Sequence, residues 1–296
     1  MSDRLHKHCA REFLPRKGGK LRIGSLSDYR KIENEAVLDR SEGMFYIKLN
    51  FDGQEEFSNE WIRDISFESI SSLDGPKESR RNLFSRGFRG RDCGGVISAI
   101  DDLERKTHAD GKNRILGSIE IEFESSDAFL FCMSRGGEVG SVIHDAEYDA
   151  SWSILRSEVK EFEYLLGECI IKHIEENGEG ILRSTVGPFA APGFYFPNAE
   201  EYPNYRYTVL TKSFDVEYTE RAIDVHRESD IAVNDLKNMF ERSAEIKTCE
   251  FRSEDEFRFI IRPVFGGGDG YFFLPNHCEP ILIDCDPFLD FIRVEG

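Results

Sequence analysis

The amino-acid sequence predicts an α+β protein in which strands outnumber helices. Apolar and polar residues alternate over several short segments, most plainly where Ile119, Ile121 and Phe123 are separated by glutamates. Segments with helical spacing are few and do not alternate regularly with the strands, which disfavours a doubly wound α/β fold. No internal repeat or Pro/Ser-rich linker divides the 296 residues, so we expect a single domain, 1–296, with a basic loop inserted at about 76–95.

The predicted strands follow one another along the chain with turn residues between them. His6 and His8 flank a candidate first strand, and residues 21–25 follow a Lys-Gly-Gly turn. Residues 45–51 alternate with period two, whereas residues 129–133 are a continuous apolar run, which is typical of a central strand. The remaining predicted strands are residues 119–123, 205–210, 214–218, 257–264, 271–274 and 281–283.

Helical periodicity is clearest over residues 153–176, where Val159, Phe162 and Leu166 recur at spacings of three and four. An Asn-Gly pair at 177–178 supplies the C-terminal stop. A second helix is predicted over residues 231–243 and a short one over residues 95–106.

Charge is distributed unevenly along the chain. Residues 1–120 hold 22 Lys and Arg against 21 Asp and Glu, whereas residues 121–296 hold 16 against 35. Acidic surface repels phosphate, so a general nucleic-acid scaffold is disfavoured. The exception is residues 77–91, where two phenylalanines accompany a basic cluster that includes Arg80, Arg81, Arg86, Arg89 and Arg91. This segment either binds single-stranded nucleic acid through phosphates and stacked bases or is a loop that pairs with the protein's own acidic half.

The chain has the features of a cytoplasmic protein that does not cross a membrane. No apolar run approaches the about 20 residues that a bilayer requires, and the first residues lack the apolar region of a signal peptide. The seven cysteines are scattered without a CxxC pair, so we expect reduced thiols.

Three sets of polar residues are candidates for a functional site. Glu254 and Glu256 stand two apart before the strand at 257–264, and strand alternation predicts that both point to one side. Such a pair can stabilise an oxocarbenium-like centre and orient an acceptor, or it can be a solvated acidic turn. Arg22 can clamp a phosphate or carboxylate, or simply be the exposed residue of a strand. Ser134 can hold a neighbouring carboxylate, or simply end its strand.

Arg22, Ser134 and the sequence Glu254-Asp255-Glu256 occur here in the order found in the ADP-ribosyltransferase superfamily, which the chain resembles in these motifs. The segments LRIGSLSDYRKIEN and SEDEFRFII also resemble a group of uncharacterised bacterial proteins that we associate with toxin or phage-defence settings. Members of the superfamily usually carry a Ser-Thr-Ser triplet where this chain has Cys132-Met133-Ser134.

The resemblance implies a mixed or antiparallel, split β-sheet with a few helices around an NAD cleft, with NAD consumed as a substrate. It implies that Arg22 contacts the dinucleotide, and we place Tyr29 and His8 in the same NAD-binding group. Ser134 would support the catalytic carboxylate of Glu256, which stabilises the oxocarbenium ion as nicotinamide leaves, and Glu254 would orient the acceptor.

An NAD-dependent ADP-ribosyltransferase that modifies nucleic acid or protein is therefore the leading functional hypothesis. Its expected partners are NAD, the acceptor and an antitoxin or regulatory protein; no resident metal is expected. Two alternatives stay open. One is a non-catalytic module that recognises nucleic acid or protein, and the other is a metal-dependent nuclease that uses the excess of carboxylates.

Overall fold

The computed structural model describes residues 3–29, 43–58, 61, 93–107, 112–125, 127–136, 149–177, 206–220, 222–232, 235, 242–267, 270–273 and 278–295. The chain forms two compact units. Unit 1 comprises Met1–Glu42, Ser126–Glu217 and Glu250–Gly296, and unit 2 comprises Gly43–Ser125 and Tyr218–Cys249. The division is finer than the single domain expected from the sequence, because each unit builds its own sheet.

Strands dominate both units, which confirms the α+β class. Two α-helices are described, α1 (Leu26–Tyr29) and α2 (Val159–Asn177). The strands are β1 (Arg4–Cys9), β2 (Lys20–Ser25), β3 (Met44–Ser58), β4 (Cys93–Thr107), β5 (Lys112–Ser125), β6 (Phe129–Ser134), β7 (Ala150–Leu155), β8 (Arg206–Asp215), β9 (Glu217–Thr219), β10 (Ala222–Asp224), β11 (Ile246–Thr248), β12 (Glu256–Gly267), β13 (Gly270–Phe273), β14 (Ile281–Asp284) and β15 (Arg293–Glu295).

Most predicted elements are confirmed, and the exceptions have physical causes. The predicted short helix over residues 95–106 is wrong: these residues lie in β4, which pairs with β5 along its length, so tertiary pairing overrides the local pattern. The predicted long helix begins at Val159 rather than 153, because residues 150–155 pair with β1 and β15. The predicted helix at 231–243 falls largely outside the described residues. The basic insertion lies outside them up to position 92.

Unit 1 is built on a nine-stranded sheet in which β6 is central. The main path runs β13-β12-β6-β1-β7-β15, while β8 also pairs with β12, β2 pairs with β6, and β14 pairs with β2. Every strand pair described in this sheet is antiparallel, which agrees with the expected mixed or antiparallel core sheet.

The sheet divides beside β6. Strand β12 pairs with β6 from Phe129 to Ser134 and so occupies one edge of it along its whole length. Strands β1 and β2 must therefore share the other edge, β1 at Ser134 and β2 at Phe129 and Leu130. One branch carries β1, β7 and β15, and the other carries β2 and β14. At this division the Lys7 ammonium donates to the Cys132 carbonyl oxygen at 2.8 Å.

Alternation gives the unit 1 sheet an apolar face and a polar face. The apolar face packs against α2: Phe162 lies with its ring centroid 5.8 Å from that of Phe131 and 5.4 Å from that of Phe259. Residues of β1, β2 and β7 join the same core, including Leu5, Ile23 and Trp152. Each such fully buried side chain contributes about 1.5–3 kcal/mol. The neighbours that alternate with them point to the opposite surface, which we call the polar face.

Unit 2 contains a four-stranded sheet in the order β10-β3-β5-β4. The β3–β5 register shifts between Asp52 and Glu56, where Gly53 adopts a φ of 74° that a side chain would strain. Strands β9 and β11 form a separate two-stranded sheet. No helix within the described ranges is long and apolar enough to cross a membrane.

Candidate functional site

A row of polar side chains crosses four adjacent strands on the polar face. His6 of β1 lies opposite Ser153 of β7 on one side and Ser134 of β6 on the other. Ser134 in turn lies opposite Glu256, the first residue of β12. Directly opposed residues share a face and lie close together, and all four of these are buried. The sheet thus brings together Ser134 and Glu256, which are far apart in the sequence.

Glu256 forms a buried ion pair with Arg258 on the same strand. The Arg258 Nε and Nη2 atoms donate to the two carboxylate oxygens at 2.5 and 3.2 Å. Arg258 is 0% exposed and Glu256 is 6% exposed. Residues two apart on a strand share a side, so β12 itself sets up this bidentate arrangement. A charge buried so deeply needs such a partner, because desolvation is otherwise very unfavourable.

Cys132 and Tyr29 lie next to this pair. Cys132 is opposite Arg258 in the strand register. Burial raises the pKa of the Cys132 thiol strongly, and the Glu256 carboxylate, to which the thiol is hydrogen-bonded, raises it further. Burial also raises the pKa of the Tyr29 hydroxyl, which interacts with Cys132 and Glu256. Both groups therefore keep their protons at neutral pH, so beside the Arg258 guanidinium the carboxylate has two uncharged neighbours, the Cys132 thiol and the Tyr29 hydroxyl.

Close approach of α1 to β2 places Tyr29 in this position. A Cβ atom at Gly24 would lie 2.8 Å from Tyr29 Cε2, so only glycine leaves room for the ring. Arg22, two residues earlier on the same side of β2, pairs through Nη2 with Asp28 Oδ2 at 2.5 Å. Its side chain is 51% exposed. The charge of Arg22 also reaches Tyr29, whose pKa it lowers in opposition to the larger effect of burial.

The structure therefore gathers four of the predicted site residues on one face: Arg22, Tyr29, Ser134 and Glu256. Ser134 also ends its strand, as the simpler interpretation of this residue predicts, because its Oγ accepts a hydrogen bond from the Gly136 backbone N–H at 3.1 Å.

His8 lies on the same strand as the row but outside it. Its register partner is Ser151, so His6 rather than His8 is the histidine opposite Ser134. The five predicted arginines, Arg80, Arg81, Arg86, Arg89 and Arg91, lie outside the described residues.

Strand alternation does not place Glu254 and Glu256 on one side, contrary to the prediction from the sequence. Glu254 ends a 3₁₀ helix, Cys249–Glu254, and the strand begins only at Glu256. Between them Asp255 has a φ of 45°, in the left-handed region, and is the one non-glycine residue with positive φ in the described part of the chain. Strand alternation therefore cannot align the two carboxylates. Strained backbone of this kind is often found at functional sites.

Arg135 holds this unusual turn. Its backbone N–H donates to the Asp255 carbonyl oxygen at 2.9 Å, and its guanidinium pairs with the Asp255 carboxylate. The same guanidinium lies 3.6 Å from Asp215 at the end of β8. The ends of β6, β8 and β12 are thereby tied together where Ser134 and Glu256 meet.

Sequence reasoning missed Arg258 and Cys132, and of the two histidines of the first strand it selected His8 rather than His6. Arg258 was within its reach, since alternation along β12 puts residues 256 and 258 on one side. Cys132 and His6 depend on the pairing of distant strands, which no local pattern specifies. Across the described residues, no group of three or more His, Cys, Asp or Glu side chains is arranged to hold a metal ion.

Comparison with known proteins adds no relative to this picture. No protein-family model, curated protein or solved structure matches the chain. The geometry of the polar face and the motif resemblance are therefore the basis for a functional proposal.

Proposed function

We propose that this chain is an NAD-dependent ADP-ribosyltransferase in which Glu256 is the catalytic carboxylate. One observation carries the proposal. The register of β6 and β12 sets Glu256 directly opposite Ser134, while β2, which bears Arg22, pairs with the same strand β6. The three residue types that the resemblance singles out thus lie on three adjacent strands. The division of the sheet beside β6 is in keeping with the split sheet that the resemblance implies.

In the proposed reaction the bond between the nicotinamide nitrogen and ribose C1′ breaks, and nicotinamide leaves with the bonding electrons. Glu256 stabilises the oxocarbenium-like ribose by its negative charge and accepts a hydrogen bond from a ribose hydroxyl. Arg258 engages only part of the carboxylate's acceptor capacity, since two oxygens offer about four lone-pair sites. The acceptor nucleophile then bonds to C1′ and releases its proton.

Arg22 is suited to hold the diphosphate of NAD. Its guanidinium is half exposed and its present partner, Asp28, forms an ion pair near the surface. Such a pair contributes only about 0–1 kcal/mol, so exchange of Asp28 for a phosphate is inexpensive. Tyr29 lies beside Arg22 and would bound the same cleft, with His8 further along the polar face.

The acceptor is proposed to be nucleic acid or protein, oriented by Glu254, and the basic segment with Arg80, Arg81, Arg86, Arg89 and Arg91 would place a nucleic-acid acceptor. A toxin or phage-defence setting, with an antitoxin or regulatory partner, belongs to the same proposal. So does a cytoplasmic location.

A second candidate function is a non-catalytic recognition module. The observation that favours it is the Glu256–Arg258 pair itself, because a buried carboxylate with a bidentate partner also suits a purely structural role.

Binding of NAD and release of nicotinamide separate the two. We expect wild-type protein to bind NAD and Arg22→Ala to bind it about 10- to 100-fold more weakly, as befits loss of a charged hydrogen bond. Lys20→Ala is the matched control, since Lys20 lies on the same strand and face and is also ion-paired, to Asp284 at 2.6 Å. Wild-type protein that neither binds NAD nor releases nicotinamide would favour the recognition module.

A further inference from the structure

We propose that Arg258 is a positioning residue that holds Glu256 as a permanently ionised acceptor and prevents it from acting as a general base. This inference rests on the proposed function. It goes further by assigning a role to a residue outside the motif and by limiting what the catalytic carboxylate can do.

The geometry of the pair supports a fixed orientation. Both bonds of the guanidinium fork are made, at 2.5 and 3.2 Å, so the plane of the carboxylate is fixed as well as its position. Arg258 is 0% exposed and lies between neighbouring strands, opposite Cys132 on β6 and Phe214 on β8. A guanidinium so enclosed has no room to swing aside during turnover.

The charges around the carboxylate support a fixed ionisation state. A guanidinium stays protonated in proteins, so its cation permanently favours the ionised form of Glu256. From β6 the carboxylate faces the Cys132 thiol, and from α1 the Tyr29 hydroxyl; burial keeps the pKa of each raised. Lys7 of β1 lowers the pKa of the Cys132 thiol and Arg22 of β2 lowers that of the Tyr29 hydroxyl, each against the larger effect of burial.

Two further charged or titratable groups lie near Glu256 among the described residues. His6 of β1 lies next but one in the cross-strand row, separated from Glu256 by Ser134. Asp255 directly precedes Glu256 and pairs with Arg135. The Arg258 guanidinium, which carries a full positive charge, contacts both Glu256 oxygens.

The chemical consequence is that different groups stabilise the ribose cation and accept the proton of the acceptor. A carboxylate held on a guanidinium is a weak base, so Glu256 stabilises the cation at C1′ but does not take the proton that the acceptor loses. That proton passes to another group or to water. The rate of nicotinamide release in wild-type protein is then independent of pH on the acid side down to the point where the fold fails.

The test compares Arg258→Gln, which retains a donor but no charge, with Arg258→Lys, which retains the charge but not the fork. We expect Arg258→Gln to lower kcat for nicotinamide release about 10²-fold, as for a displacement of about 1 Å of a catalytic group. Its KM should change little, and an acid limb should appear in its pH–rate profile. Arg258→Lys should restore the wild-type profile with only part of the rate.

Arg262→Gln is the matched control, because Arg262 lies on β12 with the same side-chain direction, four residues further along. Its kcat and pH profile should match those of wild-type protein. Circular dichroism and thermal unfolding first establish that each variant is folded. If Arg258→Gln does not fold, Arg258→Lys alone tests the proposal, and we expect it to have a reduced kcat and the wild-type pH–rate profile.

Full kcat and an unchanged pH profile in the folded Arg258 variants would overturn this inference alone, with the transferase intact. Absence of nicotinamide release by wild-type protein would overturn the proposed function and this role with it.

Discussion

Replacement of Glu256 by leucine should destabilise unit 1 by about 3–5 kcal/mol, because it removes the carboxylate to which the buried Arg258 guanidinium makes two hydrogen bonds. Arg258 is 0% exposed, so water cannot solvate the charge in place. With the charge centres about 4 Å apart and an effective dielectric constant of about 20, the lost attraction is about 4 kcal/mol. The two figures agree. The double variant Glu256→Leu/Arg258→Met removes both charges and should return to within about 1 kcal/mol of wild-type stability.

Tryptophan fluorescence can measure the free energy of unfolding of unit 1 in these variants. It has two tryptophans, of which Trp152 lies in the unit 1 core and Trp61 in unit 2. In a Trp61→Phe background, Trp152 fluorescence during urea unfolding reports on unit 1. Lys20→Ala, which breaks the exposed ion pair with Asp284, is the control and should lose no more than about 1 kcal/mol. The reasoning would be refuted if Glu256→Leu were as stable as this control, or if Glu256→Leu/Arg258→Met were no more stable than Glu256→Leu.

Three further predictions follow from other parts of the structure. Gly24→Ala should displace Tyr29, which the new Cβ would approach to 2.8 Å; we expect a loss of about 1–3 kcal/mol by urea unfolding, and an unchanged stability would contradict the contact. Cys132 should be alkylated about 100-fold more slowly in native protein than in urea, because desolvation raises the pKa of its thiol and the thiolate is the reactive form. Mass spectrometry of the labelled peptide measures both rates, and equal rates would contradict the raised pKa. In unit 2, the backbone N–H groups of His226 and Arg227 donate to the Asp230 carboxylate and lower its pKa. The stability that Asp230 contributes is therefore present above its pKa in the unfolded chain and is lost as the pH falls through its pKa in the folded protein. The protection of residues 222–232 against hydrogen exchange, corrected for the intrinsic rate at each pH, should therefore fall in acid. Asp230→Asn should abolish that fall, and an equal fall in both proteins would contradict the prediction.

Local pattern was sufficient for the strands that build the site. The apolar run of β6 and the alternation of β12 each require a buried face, and the structure places both in the centre of the sheet. Their mutual register was beyond sequence reasoning, because it depends on contacts between residues more than 100 positions apart, such as Ser134 and Glu256.

Two errors show where local reasoning ends. Residues 95–106 have helical spacing, yet β5 offers them a partner along the whole of β4, and tertiary pairing decides. Glu254 and Glu256 were expected to align by alternation, but the left-handed Asp255, held by Arg135, interrupts the strand. No residue type near Asp255 demanded that backbone conformation.

Transfer of ADP-ribose is the central claim, and mass spectrometry of acceptors incubated with NAD tests it most directly. Wild-type protein and Glu256→Gln, the latter first shown to be folded by circular dichroism, would each be offered cellular RNA, DNA fragments and lysate protein. The account predicts release of nicotinamide and a mass gain of one ADP-ribose on one acceptor class with wild-type protein, and neither with the variant. Equal transfer by both proteins would remove Glu256 from catalysis, and no transfer by wild-type protein would contradict the account.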